Sequence, residues 1–173
     1  MADTALTIDE IEVAIAKSRD FSCVANTVVF NVYGLSELLP IGHECDVLVM
    51  TKAGYLAEIE IKRSWSDFLA DFKKSHKHES RLIKRFYYCV PESIFRRVME
   101  YIENAEDEYK CAGVAFYTED GRVWVRRGAT VRGDALKLTD EQKLEVLRLG
   151  CMKVIAAKER LIRERKKNNS KEE

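Results

Sequence analysis

The sequence predicts a single-domain α/β protein whose elements follow the order helix, three strands, helix, strand, helix, hairpin and long helix. Apolar residues recur at helical spacing near both ends, and β-branched or apolar runs lie between them. The chain has 173 residues, 46% hydrophobic and 34% charged, which suits one well-charged domain with a real core. With two prolines and no repeat or low-complexity linker, we expect one domain over residues 1–168 and a disordered tail at 169–173.

The first element is expected to be an amphipathic helix over residues 7–17, TIDEIEVAIAK, whose isoleucines fall at helical spacing. Thr7 and Glu10 fit a capping box, in which each side chain accepts a hydrogen bond from the other residue's backbone N–H. The next runs are rich in β-branched and apolar residues, and the turn TKAG joins the second run to the third. The expected strands are residues 24–34, 44–50, 55–62 and 84–90.

Helical periodicity returns in SWSDFLADFKKSHKH, residues 64–78, with Ser64 or Ser66 as the N-cap. Beyond the fourth strand, PESIFRRVMEYIENA predicts a helix, and CAGVAFYTEDGRVWVRRGA predicts a hairpin around an Asp-Gly turn. The last helix is expected to begin at Thr139 and to run to about Lys167, with Gly150 as a candidate interruption.

Composition argues against several classes of protein. No apolar run approaches the length that spans a bilayer. The N-terminal residues lack a basic segment followed by an apolar stretch, so no signal peptide is expected. The five cysteines are scattered and form no CxxC pair, which favours reduced thiols in a cytoplasmic protein over disulfides or a zinc knuckle.

The charges are unevenly distributed although the formal net charge is zero. Residues 1–46 hold two basic and eight acidic residues, whereas residues 62–85 hold eight basic and three acidic ones, and residues 153–167 hold seven basic and two acidic ones. This distribution could place a cation site beside a polyanion-binding surface. Surface charges that cluster without a ligand are the alternative.

Asp46, Glu60 and Lys62 are the candidate chemical residues. Asp46 and Glu60 each stand about four residues from the TKAG turn, so hairpin pairing can bring them to one face. Lys62 follows Glu60 by two residues and points to the same side. Two such carboxylates suit hexacoordinate Mg²⁺, and an adjacent ammonium can orient a metal-bound water or stabilise charge on a phosphate. A solvated strand face is the alternative.

This constellation resembles the PD-(D/E)xK nuclease superfamily. The resemblance covers roughly residues 7–91 and rests on D46…E60-I-K62, set on a hairpin within an α-β-β-β-α-β order. The stretches KRSWSDFLADFKK and RFYYCVP are similar, more narrowly, to MmcB-type proteins assigned to DNA repair as endonucleases and to related phage proteins. One departure is that Cys45, and not proline, precedes Asp46.

The resemblance implies a restriction-endonuclease-like fold with a mixed central sheet. It implies that Asp46, Glu60 and the backbone carbonyl of Ile61 bind Mg²⁺, for which Mn²⁺ could substitute, and that Lys62 is the catalytic lysine. Candidates for a supporting role are Glu12, Glu44, Ser64, Asp67, Asp71 and Lys74. For Glu12 and Glu44, a role outside the site is the preferred interpretation, as it is for Glu58.

The helix at residues 64–78 offers two further patterns. Asp67, Asp71, Lys74 and His78 are spaced to share one helix face, which would either border the metal site or be solvated. His76 and His78, two residues apart on a helix, would point in different directions, so no zinc site is expected.

The function implied by the resemblance is a metal-dependent endonuclease that hydrolyses DNA in repair, recombination or phage DNA metabolism. DNA is the expected partner, with a second copy and a targeting protein as further candidates and no membrane. Residues expected to contact nucleic acid are Arg63, Trp65, Lys73 and Lys77. The alternatives are a catalytically silent nucleic-acid-binding or adaptor protein of the same fold, an RNA-directed nuclease, and a structural protein whose charged hairpin is coincidental.

Overall fold

Six strands and five helices make up the part of the chain that the computed structural model describes, residues 6–33, 37–73, 78, 80–105 and 107–169. The strands are β1 (Thr27–Tyr33), β2 (Glu44–Met50), β3 (Leu56–Ile61), β4 (Ile83–Pro91), β5 (Gly113–Tyr117) and β6 (Val123–Arg127). The helices are α1 (Ile8–Lys17), α2 (Trp65–Asp71), α3 (Phe95–Asn104), α4 (Asp107–Lys110) and α5 (Asp140–Asn169).

The strands form one mixed sheet in chain order, β1-β2-β3-β4-β5-β6. The β1–β2, β2–β3 and β5–β6 pairs are antiparallel, and the β3–β4 and β4–β5 pairs are parallel. Parallel neighbours need crossover connections, which α2 supplies between β3 and β4, and α3 with α4 between β4 and β5. The predicted α/β class is therefore confirmed, with its C-terminal hairpin and long terminal helix.

The sheet separates two apolar layers. One face packs on α1, where Ile11 and Ile15 meet Ile59 and Ile61. The opposite face carries two apolar clusters, one that includes Val146 of α5 and one built around α2 and α3. Because strand side chains alternate between faces, Glu58 and Glu60 of β3 point to the second face, between these two clusters.

Several predicted boundaries are confirmed. Thr7 and Glu10 form the capping box at the start of α1, and Ser64 is the N-cap of α2, where its hydroxyl accepts the Asp67 backbone N–H.

All five cysteines are free thiols. None of the described helices is both long enough and apolar enough to cross a bilayer.

Two predicted boundaries are wrong. β1 begins at Thr27 and not at residue 24, because residues 22–26 form a turn in which the backbone N–H groups of Ala25 and Asn26 bond the Ser22 carbonyl. α2 ends at Asp71, well short of residue 78. His78 has a φ of 52°, which a right-handed helix does not allow. The proposed helix face running from Asp67 to His78 therefore does not form.

α5 continues through Gly150, so the glycine does not interrupt it. A Cβ added at this position would have Val29 Cγ2 as its nearest neighbour, at 3.4 Å. Alanine loses less backbone entropy than glycine when a helix forms. We therefore expect Gly150→Ala to raise the free energy of unfolding by about 0.5–1 kcal/mol, measured by urea denaturation.

Gly113→Ala provides the contrasting control. A Cβ at Gly113 would lie 2.3 Å from Tyr87 Cδ1 and 2.7 Å from the Ala129 backbone nitrogen. Overpacking of this kind is expected to cost about 1–3 kcal/mol. A Gly150→Ala protein that is also destabilised would show that α5 and β1 do not approach each other as described.

Candidate functional site

Asp46 lies at the open end of the β2–β3 hairpin. The ladder pairs Val47 with Ile59, so Asp46 is the next residue towards that end. Its Oδ2 accepts a hydrogen bond from the Ile61 backbone N–H at 2.7 Å. The Asp46 carboxylate thus accepts a hydrogen bond from β3 that a backbone carbonyl would accept in a regular ladder. Asp46 is half-buried.

Glu60 and Lys62 form a buried ion pair on the face opposite α1. Lys62 Nζ lies 2.8 Å from Glu60 Oε1 and 2.7 Å from Asp71 Oδ1. Glu60 and Lys62 are only 5% and 3% exposed. The three predicted catalytic residues therefore gather around the last residues of β3, as the hairpin argument requires.

Asp71 is the supporting candidate that the structure brings to Lys62. It is the last residue of α2 and is buried. Its Oδ1 contacts the Lys62 ammonium, and its Oδ2 accepts hydrogen bonds from Tyr88 Oη at 2.9 Å and from His78 Nε2 at 2.7 Å. With partners from three other segments, Asp71 fixes the position of Lys62.

A third carboxylate, that of Glu58, continues this buried network. Its Oε1 lies 2.8 Å from His43 Nε2 and 2.7 Å from His78 Nδ1. Glu58 is 0% exposed because β3 is covered on both faces, and its carboxylate joins the network by way of His78. That Glu58 has no part in the catalytic site stays a prediction. We call His43, Glu58, Glu60, Lys62, Asp71 and His78 the buried polar cluster.

The charges in the buried polar cluster stabilise one another. Burial by itself raises the pKa of Glu58, but hydrogen bonds from His43 and His78 outweigh it and the pKa falls below its usual value. Burial by itself lowers the pKa of His78, but its hydrogen bonds to Asp71 and Glu58 raise that pKa to about 9. His78 is therefore an imidazolium at neutral pH, donating from both ring nitrogens.

Two groups of side chains within the cluster are close enough to hold a metal ion, one formed by His43, Glu58 and His78 and one by Glu60, Asp71 and His78. In both groups His78 already has a carboxylate at each ring nitrogen. A transition metal would have to displace a proton that these contacts stabilise. The expectation that the His76 and His78 region holds no zinc stays a prediction, although its helical argument is wrong for His78.

Mg²⁺ prefers oxygen ligands, and the hairpin end supplies them. Oδ2 of Asp46 and Oε1 of Glu60 lie at this end of β3, and the Glu58 and Asp71 carboxylates lie further along the buried polar cluster. Carboxylate oxygens of this kind fit a divalent cation in donor chemistry.

The remaining supporting candidates lie elsewhere. Glu12 is on α1, across the sheet from Lys62, and its Oε1 accepts a hydrogen bond from Asn31 Nδ2 at 2.8 Å. Glu44 is exposed at the start of β2. Asp67 is exposed, and its Oδ2 accepts the Arg63 backbone N–H at 3.0 Å, which helps to cap α2. None of these three contacts Lys62 among the described bonds.

Trp65 packs against α3. Its ring packs beside Tyr101 of α3, with a centroid separation of 5.7 Å. The Arg97 guanidinium lies 3.9 Å from the Trp65 ring centroid. Both contacts anchor α2 to α3, so the structure gives Trp65 a packing role and leaves its predicted base contact without support.

One of the basic candidates, Arg63, lines an open cleft. Arg63 is exposed, donates from Nη2 to the Leu6 carbonyl at 3.3 Å, and lines a cleft of about 900 Å³ together with Arg122, Glu92 and Tyr117. The cleft lies at the carboxyl ends of β4 and β5, where open α/β sheets commonly bind ligands. Lys73 is exposed just after α2. Two further basic candidates fall outside the described residues: Lys74 and Lys77.

The fold and this site define an α/β protein that buries a carboxylate–lysine cluster at the end of a central hairpin. No family model matches the chain, and no curated protein matches it. A solved structure that it resembles is the SPO1766 protein of unknown function from Silicibacter pomeroyi. The two share 16% identity over 94% of this chain and 95% of that chain, with a TM-score of 0.58. At this identity the likeness shows a shared fold.

Proposed function

We propose that this protein is a metal-dependent nuclease that hydrolyses phosphodiester bonds in DNA, with Asp46, Glu60 and Lys62 as its catalytic residues. The observation that supports the proposal most is the Lys62–Glu60 ion pair, nearly buried beside Asp46. Burying such charges is costly and rarely serves stability alone. Clusters of interacting, buried ionisable groups are concentrated at functional sites.

The proposed cofactor is Mg²⁺, for which Mn²⁺ could substitute, held by Asp46, Glu60 and the Ile61 carbonyl. When bound, the ion would supply Lewis-acid stabilisation of phosphate oxygens and an acidified water. The carboxylate oxygens gathered at the end of β3 support this proposal, because Mg²⁺ prefers oxygen ligands. Addition of Mg²⁺ or Mn²⁺ is expected to raise the thermal unfolding midpoint, whereas a coincidental charged hairpin in a structural protein would show no shift.

The chain's own residues would act through position and charge. The Lys62 ammonium, held between Glu60 and Asp71, is placed to stabilise negative charge that develops on a phosphate oxygen. Asp71 would act through Lys62, because its carboxylate fixes the lysine by a 2.7 Å contact. Tyr88 and His78 would hold Asp71 in turn, so the cluster would keep the lysine ready before substrate binds.

DNA would approach along the exposed basic residues near the site. Arg63 follows Lys62 in the chain and opens into the cleft with Arg122. Such phosphate contacts make binding weaken as salt increases. We place the activity in the cytoplasm, in DNA repair, recombination or phage DNA metabolism, with a second copy of the chain and a separate targeting protein as further partners.

The test is a panel of labelled single-stranded, duplex, flapped and four-way DNAs, with a matched RNA, incubated with protein and Mg²⁺ or Mn²⁺. We expect metal-dependent cleavage of at least one DNA, abolished by a chelator. Cleavage confined to RNA would support an RNA-directed nuclease. Binding without cleavage of any substrate would support the silent binding protein.

A further inference from the structure

The second half of α5 presents an unusual surface. Every residue from 151 to 169 is exposed, a length of about 28 Å at 1.5 Å per residue. In the first half of the helix, Glu145 and Val146 are buried and Leu149 packs on an apolar cluster of the core. α5 thus has a side that faces the body of the protein and a side that does not.

The side that faces the body becomes polar in the second half. Lys153 and Arg160 follow Val146 at intervals of seven residues, so they lie on the same side of the helix. Arg160 Nη2 is 2.5 Å from Asp9 Oδ2 of α1. Both Lys153 and Arg160 lower the pKa of Glu12 on α1, against the larger effect of its burial. The Arg160–Asp9 ion pair and the buried Val146 fix which side of α5 faces outward.

The outward side is apolar. Its residues, which we call the α5 stripe, are Leu144, Leu147, Cys151, Val154, Ile155, Leu161 and Ile162. Val154, Ile155, Leu161 and Ile162 are 57%, 59%, 52% and 52% exposed. Isolated apolar residues on a surface are ordinary, but a contiguous stripe marks an interaction site.

The spacing of the stripe is that of a helix–helix seam. Leu144, Leu147, Cys151, Val154, Lys158 and Leu161 alternate three and four residues apart, which is the heptad pattern of a coiled coil. Lys158 is the one charged residue in this run. A polar residue in a seam lowers affinity, and a seam of two copies holds this lysine twice.

We propose that two copies of this protein associate through their α5 stripes as an antiparallel helix pair. In that register, Leu144 lies opposite Leu161 of the other copy and Cys151 opposite Val154, because antiparallel seams pair first with fourth heptad positions. At each end of the seam, Asp140 of one copy then lies opposite Arg165 of the other copy. An antiparallel pair also sets each acidic first turn beside a basic last turn.

The charge distribution along α5 favours a second copy in the antiparallel orientation. A parallel pair would bring together two basic C-terminal ends, each with net positive charge over residues 153–167. The antiparallel pair instead sets Arg165 opposite Asp140, whose Oδ1 also accepts from Lys143 Nζ of its own helix at 2.7 Å. The seam is short compared with the 20–30 residues per side of a standard interface, so we expect a reversible dimer with a Kd of about micromolar order.

The test is sedimentation velocity of the full chain over a wide range of concentrations. The wild type is expected to shift from a monomer of 20.0 kDa to a dimer as concentration rises. Leu161→Lys, which changes an exposed residue and leaves the fold intact, is expected to weaken association by more than tenfold. Arg163→Ala, on the same helix but off the stripe, is expected to associate like the wild type.

Charge swapping tests the orientation. Asp140→Lys and Arg165→Glu should each weaken the dimer, and the double variant should recover it, since the contact reforms with its charges exchanged. A double variant no better than the single ones would overturn the antiparallel register. A wild type that stays monomeric at every concentration would overturn the proposal and assign the stripe to another protein or to nucleic acid.

Discussion

Replacing Asp71 with alanine is expected to lower the free energy of unfolding by about 3–5 kcal/mol. Asp71 is 3% exposed, and its carboxylate contacts Lys62, His78 and Tyr88. Alanine removes the charge and leaves the Lys62 ammonium and the His78 imidazolium buried with fewer partners. Removing one member of a buried charged network costs more than the network contributes, because the remaining charges cannot be solvated.

Urea denaturation monitored by circular dichroism measures this effect. The matched control is Asp67→Ala, since Asp67 lies one turn earlier on α2 but is exposed, and its described side-chain bond goes to the Arg63 backbone N–H. We expect that control to cost about 1 kcal/mol or less. Asp71→Asn, which keeps the shape, should fall between the two. Equal effects of the two alanine substitutions would contradict a buried, charged Asp71.

Stability is expected to fall as pH rises from about 6.5 to about 9. The pKa of His78 is raised from 6.5 to about 9 in the folded protein, so the folded state holds this proton more tightly than the unfolded state does. The stabilisation is complete below the unfolded pKa and is lost as pH rises through the folded pKa. At about 1.4 kcal/mol per pKa unit, the loss is about 3 kcal/mol.

Urea midpoints measured in the presence of a chelator at several pH values across this window test the prediction. His78→Gln is the matched variant, because glutamine can donate a hydrogen bond but does not titrate. We expect the variant to be less stable at pH 6 and to show a much flatter pH dependence. A wild-type curve that is flat or rises over this window would show that His78 does not carry the proton.

Local patterns predicted the elements well where local chemistry decides the outcome. The capping box of α1 and the N-cap of α2 each depend on residues within one turn of each other. The hairpin argument brought Asp46 and Glu60 to the end of β3, because register follows from the turn and the strand periodicity. Asp71 was among the supporting candidates that the resemblance implied.

Long-range packing decided what the sequence did not predict. His43 and His78 are 15 and 20 residues from Glu58, and no local pattern links them. The charged alternation along β3 left a solvated face as an alternative, although a strand joined to its neighbour by a crossover helix is covered on both faces. This coverage was the available signal that Glu58 is buried, and a buried glutamate needs hydrogen-bond partners.

The end of α2 shows the same competition between local and distant contacts. Residues beyond Asp71 keep a helix-like periodicity, yet the chain leaves the helix at Phe72, whose ring packs against Tyr101 and Tyr109. Further on, His78 adopts a positive φ and binds both Glu58 and Asp71. His78 thus makes two charge-assisted contacts from a backbone conformation that a right-handed helix does not allow.

The central claim is that Asp46, Glu60 and Lys62 cut DNA with a divalent metal. Its most direct test is the single-turnover cleavage rate of the best substrate in Mg²⁺, compared among the wild type, Lys62→Met, Glu60→Gln and the exposed-turn control Lys52→Met, each checked for folding. The account predicts that the first two variants lose at least about 10²–10³-fold in rate and that the control keeps the wild-type rate. Undiminished cleavage by folded Lys62→Met and Glu60→Gln would contradict it.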